Sequence, residues 1–453
     1  MRSPYRAGMR GFRSRADLSP LTRGHRRNPA DAGEPSGSAP RPQPSIHAFP
    51  GSHNGLDPRP ACRGPAGPRT NRNAADRDPN PVTQPLHISL YIGHHKVGST
   101  SLQVFLSQNF ARLARAGILY PFTEMRGAAQ AMTRMMRGDK AEVLGPNVRE
   151  PHSALAYRMM ADTTRFQVPQ QFRMLPHSGQ MLHAIRSQIA AMNPKGVVLC
   201  SEAFSNFGLF NPELVDRLCN QFPQAGFSLY CALRRPDEYI VSWHGQRIKV
   251  SEPCEQLRDG AWKQYLSTIH FDFRLAAEVW MKRVPGDNKV LRNYRDVLAA
   301  GGSEADYIAH SGLQFPDGLL PAVMANKSLP LAVTEIARRG NAALPGPEAH
   351  QLVRFLLDLD QKVDLVPNRQ VEMFGESGRR KMYDRFLPIH AWLSETTGGK
   401  PFFPDLDDML AIRPIPEPEA MRAALDQLTP DLTAALPEAP RDFIAMLRAS
   451  FKP

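Results

Sequence analysis

His87-Ile88-Ser89-Leu90-Tyr91-Ile92-Gly93-His94-His95-Lys96-Val97-Gly98-Ser99-Thr100-Ser101 decides the fold class. A short β-prone apolar run ends in glycine and reads as a buried strand. After the loop, Leu102, Phe105, Leu106, Phe110 and Leu113 fall near helical spacing between Thr100 and Arg115, and Gly117 stands where a helix would stop. Gly117-Ile118-Leu119-Tyr120-Pro121 predicts a second short strand closed by proline. Residues 126–180, rich in Met, Arg and His, have weak periodicity and read as helical to irregular. Beyond them the spacing predicts a helix at Met181–Met192, a strand at Val197–Cys200, a helix near Pro212–Gln221, a strand at Phe227–Leu233 and a helix after Pro236. A long helix over Tyr265–Arg283 and a strand at Lys289–Tyr294 follow. Strands alternating with helices need crossover connections, so the sheet is expected to be largely parallel and covered on both faces. That is a doubly wound α/β domain, whose ligands lie at the carboxyl ends of the strands. Leu329–Phe451 reads as mostly helical additions with a Pro-rich break at Pro414-Ile415-Pro416-Glu417-Pro418, and no internal repeat is visible.

The loop between the first strand and helix has the position and composition of an anion cradle, because free N–H groups and a helix N-terminus converge there. A P-loop needs its lysine directly after the second glycine. Here Gly93 and Gly98 keep the spacing, but Ser99 takes the lysine position and Lys96 lies inside the loop. Hydrolysis of a nucleoside triphosphate is therefore disfavoured, and a related transfer that needs a cation but no metal is favoured. A second signal follows the strand that ends at Leu233: Arg234-Arg235-Pro236-Asp237-Glu238-Tyr239-Ile240-Val241-Ser242. Proline suits the first turn of the next helix. Arg234 and Ser242 are suited to a terminal phosphate, the guanidinium through a bidentate charge-assisted fork and the hydroxyl through one more donor.

Together these segments resemble the sulfotransferase family. Lys96-Val97-Gly98-Ser99-Thr100-Ser101-Leu102 resembles its 5′-phosphosulfate loop, and Arg234-x-Pro236 with Ser242 eight residues after the arginine resembles its 3′-phosphate motif. Gly117–Pro121 and Val290-Leu291-Arg292-Asn293-Tyr294 are similar to segments of the bacterial branch. The resemblance spans residues 87–300 and extends towards 400; it departs at His95, where the family commonly has proline, which bears on how the chain enters the loop. It implies a sheet of the P-loop-like sulfotransferase type. It also implies 3′-phosphoadenosine 5′-phosphosulfate as co-substrate, with no metal. By the same resemblance Lys96 acts at the bridging oxygen, Gly98, Ser99, Thr100 and Ser101 hold the 5′-phosphate, and Arg234 and Ser242 hold the 3′-phosphate. The acceptor must lose a proton, so a general base is needed. Glu202, just past Val197–Cys200, is the first candidate, His152 the second, and His94 or His95 the third. The acceptor is expected to be a carbohydrate or glycolipid hydroxyl.

Composition bounds the rest. The chain has 453 residues and a formal net charge of +12, which invites a nucleic-acid partner. Residues 1–85, however, hold 14 Arg, no Lys, 6 acids, 15 of the 42 prolines and 9 of the 32 glycines, so most of that charge belongs to a stretch with the composition of a disordered extension. Its arginines are scattered without aromatic interleaving, so no nucleic-acid partner is expected. It lacks the amphipathic pattern of a transit peptide, and valine is absent before Val82, which suggests translation upstream of the functional start. Residues 86–400 are expected to form the catalytic domain and 401–453 a Pro-containing helical tail. No run approaches the ~20 apolar residues of a bilayer span, and the five cysteines have neither disulfide nor zinc spacing; the chain is expected to be cytoplasmic. Arg379-Arg380-Lys381 near Tyr383 reads as a solvated helix face rather than an anion contact, Ser328 as a helix cap, and the methionines, Met135-Met136 and Met159-Met160 among them, as adaptable packing. Two other functions fit the pattern less well: a P-loop-type nucleotide or sugar kinase, and a non-catalytic nucleotide-binding protein of the same fold.

Overall fold

A computed structural model describes residues 85–137, 145–322 and 327–451. The expectation for the first 84 residues falls outside them. Among the described residues, five strands form one parallel sheet: β1 (His87–Tyr91), β2 (Ile118–Leu119), β3 (Gly196–Cys200), β4 (Gly226–Leu233) and β5 (Lys289–Asn293), in the order β2-β3-β1-β4-β5. Side-chain alternation sends Ile88, Leu90, Val197, Leu199, Leu229 and Cys231 to one apolar layer and Tyr91, Val198, Cys200, Tyr230 and Ala232 to the other. Both faces are covered, which is why these strands read as continuous apolar runs. Helix α1 (Ser99–Gln108) follows β1, α2 (Met125–Arg137) and α3 (Pro151–Thr163) follow β2, and α4 (Ser178–Met192) leads into β3. Helix α5 (Pro236–Lys249) follows β4; α6 (Phe273–Arg283) precedes β5 and α7 (Ser303–His310) comes after it.

The chain leaves β1 for the β2–β3 side and only later crosses to β4, so the carboxyl end of β1 lies at the point where the strand order reverses. Helix α7 ties the sheet together beneath this point. Tyr307 donates to Ser89 Oγ at 2.8 Å, and Tyr230 donates to Asp306 at 2.6 Å, where Arg292 also binds at 2.7 Å.

Several expectations are corrected. The helix expected over Tyr265–Arg283 is broken: a 3-10 turn at Ala261–Tyr265 is followed by irregular chain, and Asp272 caps α6 by accepting the Arg274 N–H. Tertiary need explains the break, because the Ile269 carbonyl receives His94 Nε2 at 2.9 Å. The helix expected from Thr100 to Arg115 pauses at Asn109, whose side chain holds Leu320 through bonds of 2.8 and 2.9 Å. Ser328 caps nothing: α8 (Leu331–Ala343) starts after Pro330, and the Leu331 N–H goes to Asn368. Residues 401–451 are helical in part, with helices at Glu417–Gln427 and Glu438–Ala449. Strand β6 (Val371–Glu372) pairs with β7 (Ile415–Pro416) inside the Pro-rich break, between α9 (Gly375–Thr396) and α10 (Glu417–Gln427), and the whole packs with the preceding chain as one unit. Arg379 is buried, not solvated; it bonds Glu372 at 2.8 Å and approaches Asp237 at 3.6 Å, joining this addition to the start of α5. Met159 and Met160 are core residues, whereas Met135 and Met136 are exposed.

Candidate active site

The loop after β1 is shaped by left-handed residues. Lys96 (φ 62°) and Gly98 (φ 83°) turn the chain back so that α1 begins directly after Gly98. Gly98 carries no capping side chain and the first turn of α1 holds no acid, so its N–H groups are uncapped by side chains and the helix dipole favours an anion there. Ser303, the first residue of α7, anchors the loop by donating to the Val97 carbonyl at 2.8 Å. A Cβ on Gly98 would lie 1.9 Å from Ser303 Oγ. Gly98→Ala is therefore expected to lower stability by about 2–3 kcal/mol, combining the left-handed penalty with loss of the Ser303 bond. Urea unfolding measures it, and a change below about 0.5 kcal/mol would show that the loop adapts freely.

Lys96, Arg234 and Ser242, far apart in sequence, line one cleft of about 530 Å³. Lys96 Nζ donates to Gln246 Oε1 at 3.3 Å. Burial, then the charges of Lys249 and Arg234, lower Lys96 to about 8; an anion placed here would relieve that. Arg234 bonds Glu238 at 3.0 Å and lies 5.6 Å above the Tyr294 ring, partly exposed to the cleft. Its neighbour Arg235 is instead enclosed by Asp237 at 2.8 Å, Asp405 at 2.7 Å and Asp408 at 3.2 Å. Arg235 is thus held by carboxylates, and of the two Arg234 is the one left partly open to the cleft. Lys249, Arg369 and Arg413 also line the cleft, and with Lys96 they form no ion pair among the described residues. Leu329, Met373 and Phe374 give it an apolar wall.

Glu202 stands on the opposite flank of the loop, because β3 and β4 border β1 on either side. Its carboxylate accepts Gln103 Nε2 at 3.1 Å and the Ser99 hydroxyl. Gly93 packs against its backbone. Burial, and after it the charge of Glu150, raise Glu202 to about 7. The structure joins Glu202 to the first residue of α1 but not to the cleft lined by Arg234.

The histidines are placed elsewhere. His152 is fully buried under β3, its Nδ1 accepts the Cys200 N–H at 3.2 Å, and burial lowers it to about 3. His94 and His95 are buried in an aromatic group with Tyr239, Trp243 and His270. These positions suit packing rather than proton transfer at the crevice. Ser101 lends its hydroxyl to Glu304, so only its N–H is left for the cradle. Sequence reasoning missed Gln246 and Lys249, although both fall at helical spacing from Ser242 on one face of α5. It also missed Arg369 and Arg413, which arrive from the C-terminal addition without a local signal. A second cleft, of about 620 Å³, lies across α5 against Trp243, Arg247 and Tyr265 and does not include the loop.

Set against models of known protein families, characterised proteins and solved structures, the chain matches none.

Proposed function

We propose that this protein is a sulfotransferase that moves a sulfuryl group from 3′-phosphoadenosine 5′-phosphosulfate to an acceptor hydroxyl or amine, on a sheet of the P-loop-like sulfotransferase type. The observation that carries the proposal is the gathering of Lys96, Arg234 and Ser242 in one cleft beside the uncapped start of α1. A donor with two separated anionic groups matches this layout. Its 5′-phosphate sits on the N–H groups of Gly98 to Ser101 with the Thr100 hydroxyl, and with the Ser99 hydroxyl when that turns from Glu202. Its 3′-phosphate sits at Arg234 and Ser242. In the transfer the acceptor oxygen forms a bond to sulfur while the bond from sulfur to the bridging oxygen breaks. The enzyme aligns the partners and stabilises charge on the leaving oxygen, which is the role given to Lys96. The acceptor proton passes to Glu202. A P-loop kinase is the weaker reading, since serine stands at position 99 and the loop cation comes from Lys96. The same proposal places the enzyme in the cytoplasm with a carbohydrate-bearing acceptor.

Calorimetry tests it. Micromolar binding of 3′-phosphoadenosine 5′-phosphate in the presence of a chelator is expected. Absence of that binding, or Mg²⁺-dependent consumption of ATP, would overturn the proposal.

Glu202 gives a pH signature. A base raised to about 7 is protonated and idle below that value, so turnover is expected to climb about tenfold per pH unit up to pH ~7 and then level. Glu202→Gln should cut turnover by about 10²–10⁴ and abolish that limb. Release of 3′-phosphoadenosine 5′-phosphate from the donor, with water or a sugar as acceptor, is the readout; an unchanged limb in the variant removes Glu202 from the mechanism.

A further inference from the structure

Helix α2 is inverted relative to an ordinary surface helix. It rests on the body through small residues: Gly127 and Ala131, one turn apart, are buried, and a Cβ on Gly127 would lie 3.1 Å from the Asn147 carbonyl oxygen. Its large apolar residues face solvent. Met125 is 85% exposed, Met132 53% and Met136 81%, and with Ala129 they follow i, i+4, i+7, i+11, a single ridge along the helix. Of the twelve large hydrophobic residues exposed among the described residues, four, including Met135, lie in this 13-residue helix. Scattered exposed apolar residues need no explanation, but a contiguous ridge marks an interaction surface.

The border of the ridge indicates the partner. Arg126 and Arg137 flank it on one side with Gln130 and Thr133 between them, all exposed, and the helix contains no acid. The neighbouring carboxylate, Glu124, accepts the N–H groups of Arg126 and Gly127 and so caps the helix. An apolar strip beside a basic, acid-free strip is the pattern of a helix lying in a membrane interface. A second copy of the same helix would be repelled by like charge.

We propose that α2 docks the protein on an anionic lipid surface. The methionine ridge enters the boundary between headgroups and acyl chains, and Arg126 and Arg137 sit at the level of the lipid phosphates. Ala131 packs with Phe122 and Val148, and the segment holding Val148 leads to Glu150, whose charge reaches Glu202. The docked surface therefore lies on the Glu202 flank of the crevice. If the sulfotransferase proposal holds, on which this last step rests, the acceptor is a headgroup sugar presented from the lipid surface.

Co-sedimentation of the full chain tests the docking, using vesicles of phosphatidylcholine alone and of phosphatidylcholine with phosphatidylserine. Binding to the anionic vesicles is expected, with about 10-fold weaker binding by the triple variant Met125→Ser, Met132→Ser, Met136→Ser. The triple variant should keep the circular dichroism of the parent and its affinity for 3′-phosphoadenosine 5′-phosphate, since all three side chains are exposed. Residues 1–85 carry net positive charge in every variant, so equal binding by parent and triple variant would assign the attraction to them and overturn the docking. No binding, or a dimer that the triple variant converts to monomer, would overturn it too. Vesicle binding by a chain that fails to bind the nucleotide would leave the docking standing and remove the sulfotransferase proposal.

Discussion

Arg234→Ala is expected to weaken binding of 3′-phosphoadenosine 5′-phosphate by about 100-fold while leaving adenosine 5′-phosphate almost unaffected. Two charge-assisted bonds from a guanidinium to a phosphate contribute about 1.5–3 kcal/mol each. Part of this is offset because Glu238, at 3.0 Å, already holds one edge of Arg234, so the net loss is set at about 3 kcal/mol. The Tyr294 face, 5.6 Å from the guanidinium, limits the positions Arg234 can take and so reduces the ordering needed on binding. The comparison of two ligands separates a contact to the 3′-phosphate from a general loss of positive field. If both ligands weaken equally, Arg234 acts at another part of the nucleotide or only through long-range charge. Stability should stay within about 0.5 kcal/mol, since Arg234 and its ion-pair partner Glu238 are both partly exposed. Arg235→Ala makes the opposite case. It removes the cation that Asp237, Asp405 and Asp408 share, while Asp237 keeps Arg379 at 3.6 Å and Asp405 keeps Arg295 at 2.9 Å, so a loss of about 3 kcal/mol in folding stability is expected there.

The sheet was legible because parallel strands buried on both faces leave an unbroken apolar run, and β1, β3 and β4 are of that kind. The helix wall of the cleft was legible only at Ser242, although Gln246 and Lys249 share its face of α5 by spacing alone. The facing wall was not. Arg369, Phe374 and Arg413 reach the cleft through β6 and β7, two-residue strands of which one contains Pro416, and neither length nor composition announces them. The break before α6 was hidden for a different reason: helical periodicity continues through Tyr265–Arg283, and a tertiary partner, His94, draws the Ile269 carbonyl out of it. Pattern fixes what a segment prefers, and a buried polar group elsewhere can override the preference. The methionines divide on the same principle. Spacing cannot tell whether a ridge faces the core or the solvent; in α2 the buried face is set by Gly127, whose small size lets the helix approach Asn147.

Five buried histidines make the fold acid-labile, and the sign follows from their burial. His94 is lowered to about 4, His152 and His244 to about 3, and His95 and His270 also fall well below the ordinary value, burial being the first cause in each case. Below about 6.5 an unfolded chain takes up five protons that the folded chain refuses, so these groups withdraw stability as the pH falls. Glu202 and Glu417 act in the other direction. Both are raised to about 7 by burial, so between 4.5 and 7 the folded chain holds two protons that the unfolded chain releases, and acidification through that window adds stability. The net difference is about three protons in favour of the unfolded chain, or about 4 kcal/mol per pH unit near pH 5.5. From pH ~6.5 to 5 this removes about 6 kcal/mol, so a domain at the low end of the usual 5–15 kcal/mol should unfold near pH 5. Urea titrations at pH 7.5, 6.5 and 5.5, followed by circular dichroism, read the slope directly. His244→Gln, which retains a hydrogen-bonding group beside the Tyr265 hydroxyl, should lower the slope by about one proton. A stability that stays flat between pH 7 and 5.5 would mean that the imidazoles are protonated in the fold. The close packing of His94 against Tyr239, and of His95 against Trp243 and His270, would then have to accommodate cations in the wall that supports Lys96.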